Sequence, residues 1–188
     1  MLNLPNFLTL IRIVAIPFFL VLLSSGLYLN ALIVFIVSGL TDFLDGALAR
    51  MTNQQTPLGS YLDPVADKLL LMSSFVMLGL MGAIPPWVGV LVVSRDIIIL
   101  FGYGLLYFLV QERLKVQPSL IGKLNTILQL VTVGVVLLCL YDSQLVATWI
   151  DDFLFLATAI TTITSGFQYI YRGLVLLQNR ASSLNRLS

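Results

Sequence analysis

Four carboxylates stand close together in the chain: Asp42, Asp45, Asp63 and Asp67. Asp42, Asp45, Gly46 and Ala49 follow the spacing i, i+3, i+4, i+7, which on a helix is one stripe. Gly59, Asp63 and Asp67 step by four and form a second stripe. Both stripes adjoin apolar runs long enough to cross a bilayer, where each acid costs about 2.5–3.5 kcal/mol or more. Protonation would relieve the repulsion among them, and divalent cations would do it better. The chain has no His, and its single Cys139 lies elsewhere, inside an apolar run. An all-oxygen donor set suits a hard ion such as Mg²⁺ or Mn²⁺. Four acids converging from two helices can bridge two such ions, and a metal pair can clamp a diphosphate during phosphoryl displacement. Gly46, Ala49 and Gly59 leave space on the same faces for a flat or bulky ligand, and Arg50 can pair with a phosphate oxygen. The competing reading makes the acids helix-end groups in interfacial water, paired with Arg50 and Lys68. It leaves the matched register of four acids and three small residues unexplained.

The elements that must position these residues are membrane helices. Of 188 residues 59% are hydrophobic and only 10% charged, against about 25% charged in a soluble domain. Mean hydropathy is +1.00. A net charge of +1 without a basic run gives no reason to expect nucleic acid as a partner. A spanning helix needs about 20 apolar residues, and six runs qualify: Phe7–Leu23, Leu29–Arg50, Gly59–Met81, Trp87–Val110, Leu120–Leu140 and Trp149–Leu177. The expected fold is an all-α, six-helix integral membrane protein. Its catalytic domain covers residues 1–178 and a polar tail 179–188.

Lys and Arg flank the second-to-third and fourth-to-fifth connections and the C-terminal end, whereas the opposite connections carry only Asp142, Asp151 and Asp152. This asymmetry puts both termini and the acidic stripes on the cytoplasmic side of a plasma membrane or an organelle membrane. Trp87 and Trp149 fall at the other end, as an aromatic belt would. The eight-residue connection Met51–Leu58 makes the two acidic helices antiparallel neighbours. At about 1.5 Å per residue, Asp42 and Asp67 then lie at matching depth, roughly 12 Å in.

Together the residues read D-x2-D-G-x2-A-R-x8-G-x3-D-x3-D, which resembles the signature of the CDP-alcohol phosphotransferases at every fixed position. "NLPNFLTLIRI", "SRDIII" and "GKLNT" are similar to phospholipid-synthesising members. The resemblance implies transfer of a phosphoalcohol from a CDP-alcohol to an acceptor hydroxyl with release of CMP. It implies Asp42, Asp45 and Asp63 as ligands of two Mg²⁺ or Mn²⁺ ions. Asp67 would be both a ligand and the base for the acceptor. Gly46, Ala49 and Gly59 would lie against the cytidine and sugar, with Arg50 on phosphate and Asn6 and Thr9 on the nucleotide side. A base is sensible, since an alcohol is a poor nucleophile until its proton is accepted. CDP-diacylglycerol is the implied donor, and members are often homodimers.

The acceptor is expected at Arg95, Lys123, Tyr103 and Asn125. An arginine at mid-membrane should face a polar cavity or a partner. Its neighbour Asp96 is an awkward partner, because adjacent helical side chains point about 100° apart. Phosphatidylglycerophosphate synthases of the family show a second Arg where Tyr103 stands and a second Lys where Asn125 stands. Both departures, and the stretch "TAITTITSGFQYIY", are similar to the cardiolipin synthases. The expectation is therefore phosphatidylglycerol as acceptor, with glycerol 3-phosphate as the alternative. A cation or proton transporter is the alternative of a different class. Against it, the acids occupy one half of the membrane and no inverted repeat is visible.

Overall fold

The computed structural model describes residues 4–52, 59–110 and 119–184, and within them the side chains of 11–41, 68–102, 119–147, 149–175 and 178. Among the described residues all regular structure is α-helical: α1 Leu4–Ser24, α2 Tyr28–Thr52, α3 Gly59–Leu80, α4 Pro86–Val110, α5 Leu120–Tyr141 and α6 Thr148–Leu184. Each expected run is a helix. α1 starts three residues early, because Pro5 falls in its first turn, where a missing N–H costs nothing. α6 continues seven residues past the expected end, as one helix of 37 residues. Within α5 and α6, Leu120–Tyr141 and Trp149–Val175 are long and apolar enough to cross a membrane.

The helices close a ring. α1 packs on α2 and α3, α3 on α4, α4 on α6, α6 on α5, and α5 returns to α2. Among the described residues α2 and α3 meet only sparingly, and α1 packs against both. Two connections are set by glycine. Gly26 and Gly82, with φ of 74° and 75°, take the left-handed conformation that ends a helix. The amides of Gly26 and Leu27 reach back to the carbonyls of Leu23 and Leu22, and those of Gly82 and Ala83 to Gly79 and Leu78. This pattern satisfies terminal carbonyls while reversing the chain.

The interior is divided along the helix axes. One end is sealed by apolar side chains: Phe19 and Leu23 of α1, Ala31 and Phe35 of α2, Phe75 and Leu78 of α3, Val88 of α4, Leu137 of α5 and Phe155 of α6. Toward the other end the buried residues turn polar: Arg12, Ser38, Arg95, Asp96, Asn125 and Ser165. The outer surface is the reverse, with Val14, Phe18, Ile33, Val37, Phe101, Ile127, Phe153 and Phe167 all exposed. An apolar outer surface over an interior that is polar toward one end is the distribution expected when the surrounding medium is hydrocarbon and hydrogen bonds are made between helices.

Gly89 lies where α4 comes closest to α3. A Cβ there would stand 3.4 Å from the carbonyl oxygen of Phe75, so methyl is the largest group that fits. Gly89→Ala is expected to be tolerated. Gly89→Leu should cost about 1–3 kcal/mol by forcing the helices apart, read as a lowered thermal midpoint of the detergent-solubilised protein.

Candidate functional site

The backbone carries the acidic signature on two helices. Asp42, Asp45, Gly46, Ala49 and Arg50 lie in the last turns of α2, and Gly59, Asp63 and Asp67 begin α3. Asn6 and Thr9 lie at the start of α1, which packs against both. The side chains of all these positions, and of Tyr103 on α4, lie outside the described residues.

Directly after Asp67 the side chains are described, and they build a cavity of about 180 Å³ lined by Lys68, Arg95, Ile99, Gly122, Lys123, Thr126 and Tyr169. Four helices contribute. Lys68 comes from α3, Arg95 and Ile99 from α4, Gly122, Lys123 and Thr126 from α5, and Tyr169 from α6. α5 begins at this wall because Ser119 caps it. The Ser119 Oγ accepts from the Gly122 amide at 3.0 Å, which satisfies one of the free donors of the first turn. A Cβ at Gly122 would sit 3.1 Å from Ser119 Oγ, 3.5 Å from the Tyr169 ring and 3.7 Å from Arg95 Nη2. A side chain there would take cavity space, so glycine keeps the wall open.

Arg95 is 7% exposed and Asp96 fully buried. Contrary to the expectation from helix geometry, they pair. Arg95 Nη1 donates to Asp96 Oδ1, because three methylenes let a guanidinium fold back across the angle between adjacent Cβ atoms. Lys68 Nζ donates to the same oxygen at 2.8 Å. Arg95 Nη2 donates to Ser165 Oγ on α6, and the guanidinium carbon lies 5.7 Å from the centre of the Tyr169 ring. Pairing with Asp96 does not exhaust the group: Arg95 Nε is buried without a hydrogen-bond acceptor, and Arg95 still lines the cavity. Among the described residues, three cations and one carboxylate thus give the cavity a formal charge of two positive. Arg95 is buried and Lys68 half-buried while Lys123 is exposed, so the attraction for an anion is strengthened most at Arg95.

The second expected acceptor residue on α5 behaves differently. Asn125 is fully buried, and its Oδ1 accepts from the hydroxyls of Thr161 at 2.9 Å and Thr162 at 2.8 Å. It ties α5 to α6 and is not among the cavity-lining residues. Of the residues expected at the acceptor, the structure brings Arg95 and Lys123 to one cavity and sets Asn125 at the contact between α5 and α6. Sequence reading missed Lys68, Thr126 and Tyr169 as lining residues. The available signal was periodic: Thr158, Thr162, Ser165 and Tyr169 follow i, i+4, i+7, i+11, a polar stripe along α6.

Among the described residues the chain is an all-helical ring, with an acidic signature on two helices and a cavity lined by Lys68, Arg95 and Lys123. The chain belongs to the CDP-alcohol phosphatidyltransferase family, whose pattern matches residues 2–165, and it is an enzyme of that class. The transporter alternative falls with that assignment. The chain is 34% identical over 178 residues to a probable phosphatidylglycerophosphate synthase of Mycobacterium tuberculosis, covering 92% of this chain and 82% of that one. It is 30% identical over 184 residues to the CDP-diacylglycerol–glycerol-3-phosphate 3-phosphatidyltransferase of Bacillus subtilis, covering 90% and 94%. It is 36% identical over 177 residues to the enzyme of the same name from Haemophilus influenzae, covering 89% and 91%. These relatives side with the alternative acceptor, glycerol 3-phosphate, over phosphatidylglycerol.

Proposed function

We propose that the protein transfers the phosphatidyl group of CDP-diacylglycerol to a hydroxyl of glycerol 3-phosphate and releases CMP. The cavity charge carries this reading. A phosphomonoester bears nearly two negative charges at neutral pH, and Lys68, Arg95 and Lys123 set against Asp96 leave two positive ones. The names of the relatives support the same acceptor. The case for phosphatidylglycerol rested on charge missing at Tyr103 and Asn125. Asn125 bonds Thr161 and Thr162, so its neutrality removes nothing from the cavity, and Lys68 adds a cation beside Arg95 and Lys123.

In this mechanism Asp42, Asp45, Asp63 and Asp67 would hold two Mg²⁺ or Mn²⁺ ions. The donor set fits, since it is all carboxylate in a chain without histidine. The ions would supply charge neutralisation for the diphosphate of the donor. By the family resemblance, Arg50 would pair with a donor phosphate, Gly46, Ala49 and Gly59 would leave room for the nucleoside, and Asn6 and Thr9 would lie on the nucleotide side. Lys68 follows Asp67 directly in sequence, so the cavity lies at the level of the acidic stripe along α3. An acceptor phosphate held there sets a hydroxyl within reach of Asp67, which takes its proton as the oxygen attacks phosphorus. In this reading the site faces the cytoplasm and the helices span the membrane, which the charge asymmetry of the connections supports.

The test is CMP release by the purified protein with CDP-diacylglycerol, Mg²⁺ or Mn²⁺, and each acceptor in turn, with products identified by mass spectrometry. Glycerol 3-phosphate is expected to exceed phosphatidylglycerol in kcat/KM by at least about tenfold, the value of one extra charge-assisted contact. Cardiolipin as the dominant product would overturn the acceptor and leave the donor chemistry standing.

A further inference from the structure

The acidic signature lies on α2 and α3, and the acceptor cations on α3, α4 and α5. α6 carries none of them, yet it is the helix that holds Arg95. Nη2 donates to Ser165 Oγ. The Tyr169 ring lies against the guanidinium, 5.7 Å from ring centre to Cζ, and itself lines the cavity. Gly166, between them, leaves room for the stem of Arg95: a Cβ there would meet Arg95 Cγ at 3.6 Å. Ser165 is fully buried, so its hydroxyl has no bulk water as a competing partner. Asp96 fixes one Nη of the guanidinium and Ser165 the other, while the ring restrains the plane. With both ends of the fork held, the guanidinium of the cavity-lining Arg95 is kept in a single orientation.

We propose that Ser165 and Tyr169 of α6 are positioning residues for acceptor recognition, acting through Arg95, with Tyr169 also forming the cavity wall that the acceptor meets. The assignment rests on the acceptor reading given above. A freely rotating guanidinium would bind a phosphate less tightly, since a planar fork gains its advantage from being pre-ordered. The ring adds an attraction for the cation that strengthens away from water.

The test compares Ser165→Ala, Ser165→Thr, Tyr169→Leu and Tyr169→Phe in the CMP-release assay, titrating glycerol 3-phosphate and CDP-diacylglycerol separately. Ser165→Ala and Tyr169→Leu are expected to raise the acceptor KM about tenfold, the worth of one charge-assisted bond or cation–π contact. The KM for CDP-diacylglycerol and kcat should stay within about twofold of wild type, a change too small to represent a lost contact. Tyr169→Phe keeps the ring and Ser165→Thr the hydroxyl, so both should return the acceptor KM toward wild type. An unchanged acceptor KM would overturn the proposal. So would a fall in kcat with both KM values unmoved, or equal damage from the conservative and the disruptive variants. Binding of CDP-diacylglycerol by each purified variant separates misfolding from a local effect, and the conservative pair keeps the comparison decisive if an alanine or leucine variant fails to fold. If wild type instead uses phosphatidylglycerol, the acceptor reading fails on that measurement alone. The same KM comparison, made with phosphatidylglycerol, then judges α6.

Discussion

Asp67→Asn is expected to yield a protein that still binds CDP-diacylglycerol but releases CMP at no more than about one thousandth of the wild-type rate, the scale of a lost general base. Asparagine preserves the shape and one oxygen of the side chain, so a metal can still be held, while the group that accepts the acceptor's proton is gone. Asp42→Asn, on the partner helix, should weaken donor and metal binding and lower turnover in proportion to occupancy. The measurements are equilibrium binding of the CDP-lipid and single-turnover CMP release, made on both variants at saturating and sub-saturating Mg²⁺. Recovery of Asp42→Asn by excess metal, with none for Asp67→Asn, is the expected contrast. Parallel loss of binding and turnover in both would remove the separate role of Asp67 and leave four equivalent ligands. Lys68 bears on this result too. It follows Asp67 and is bonded to Asp96 at 2.8 Å, so that α3 is fastened to α4 one residue beyond the proposed base.

What could be read from the sequence was what spacing and cost encode. Six helices follow from apolar run length, since the bilayer sets a length that the sequence must match. The acids stood out as candidates because carboxylates at helical spacing among apolar residues carry a cost. Arg95 was legible for the same reason. What escaped were contacts decided by reach. Arg95 and Asp96 point apart at Cβ and still meet at Nη1 and Oδ1, because the Arg stem is flexible and Asp96, fully buried, requires a partner. Lys68 read as a charge flanking a connection and instead lines the cavity. Asn125 was judged by a family position rather than by its face of α5, and the neighbouring threonines of α6 claim it. Ser165 and Tyr169 depend on how α6 packs against α4, a rotation that no run length specifies. Their stripe marked the inward face of α6 but not its use.

Arg95→Gln is expected to lower kcat/KM for glycerol 3-phosphate about a hundredfold or more while leaving the KM for CDP-diacylglycerol near wild type. The magnitude follows from two charge-assisted contacts to a phosphate, worth about 1.5–3 kcal/mol each. Removing the guanidinium also halves the net charge around the cavity, from two to one among the described residues, which weakens a doubly charged acceptor more than a singly charged one. The acceptor ratio should therefore shift toward phosphatidylglycerol even as total activity falls. Arg95→Lys keeps the charge but cannot engage Asp96, Ser165 and a phosphate with one planar fork, so it should lie between Gln and wild type. The opposing view treats Arg95 as the structural counter-ion of buried Asp96. On that view Arg95→Gln would lower the thermal midpoint, because a buried carboxylate loses a partner, and would affect both substrates alike. Arg95→Gln combined with Asp96→Asn separates the two. Removing both charges should restore stability if the pair is structural, yet leave the acceptor KM high if the guanidinium binds phosphate.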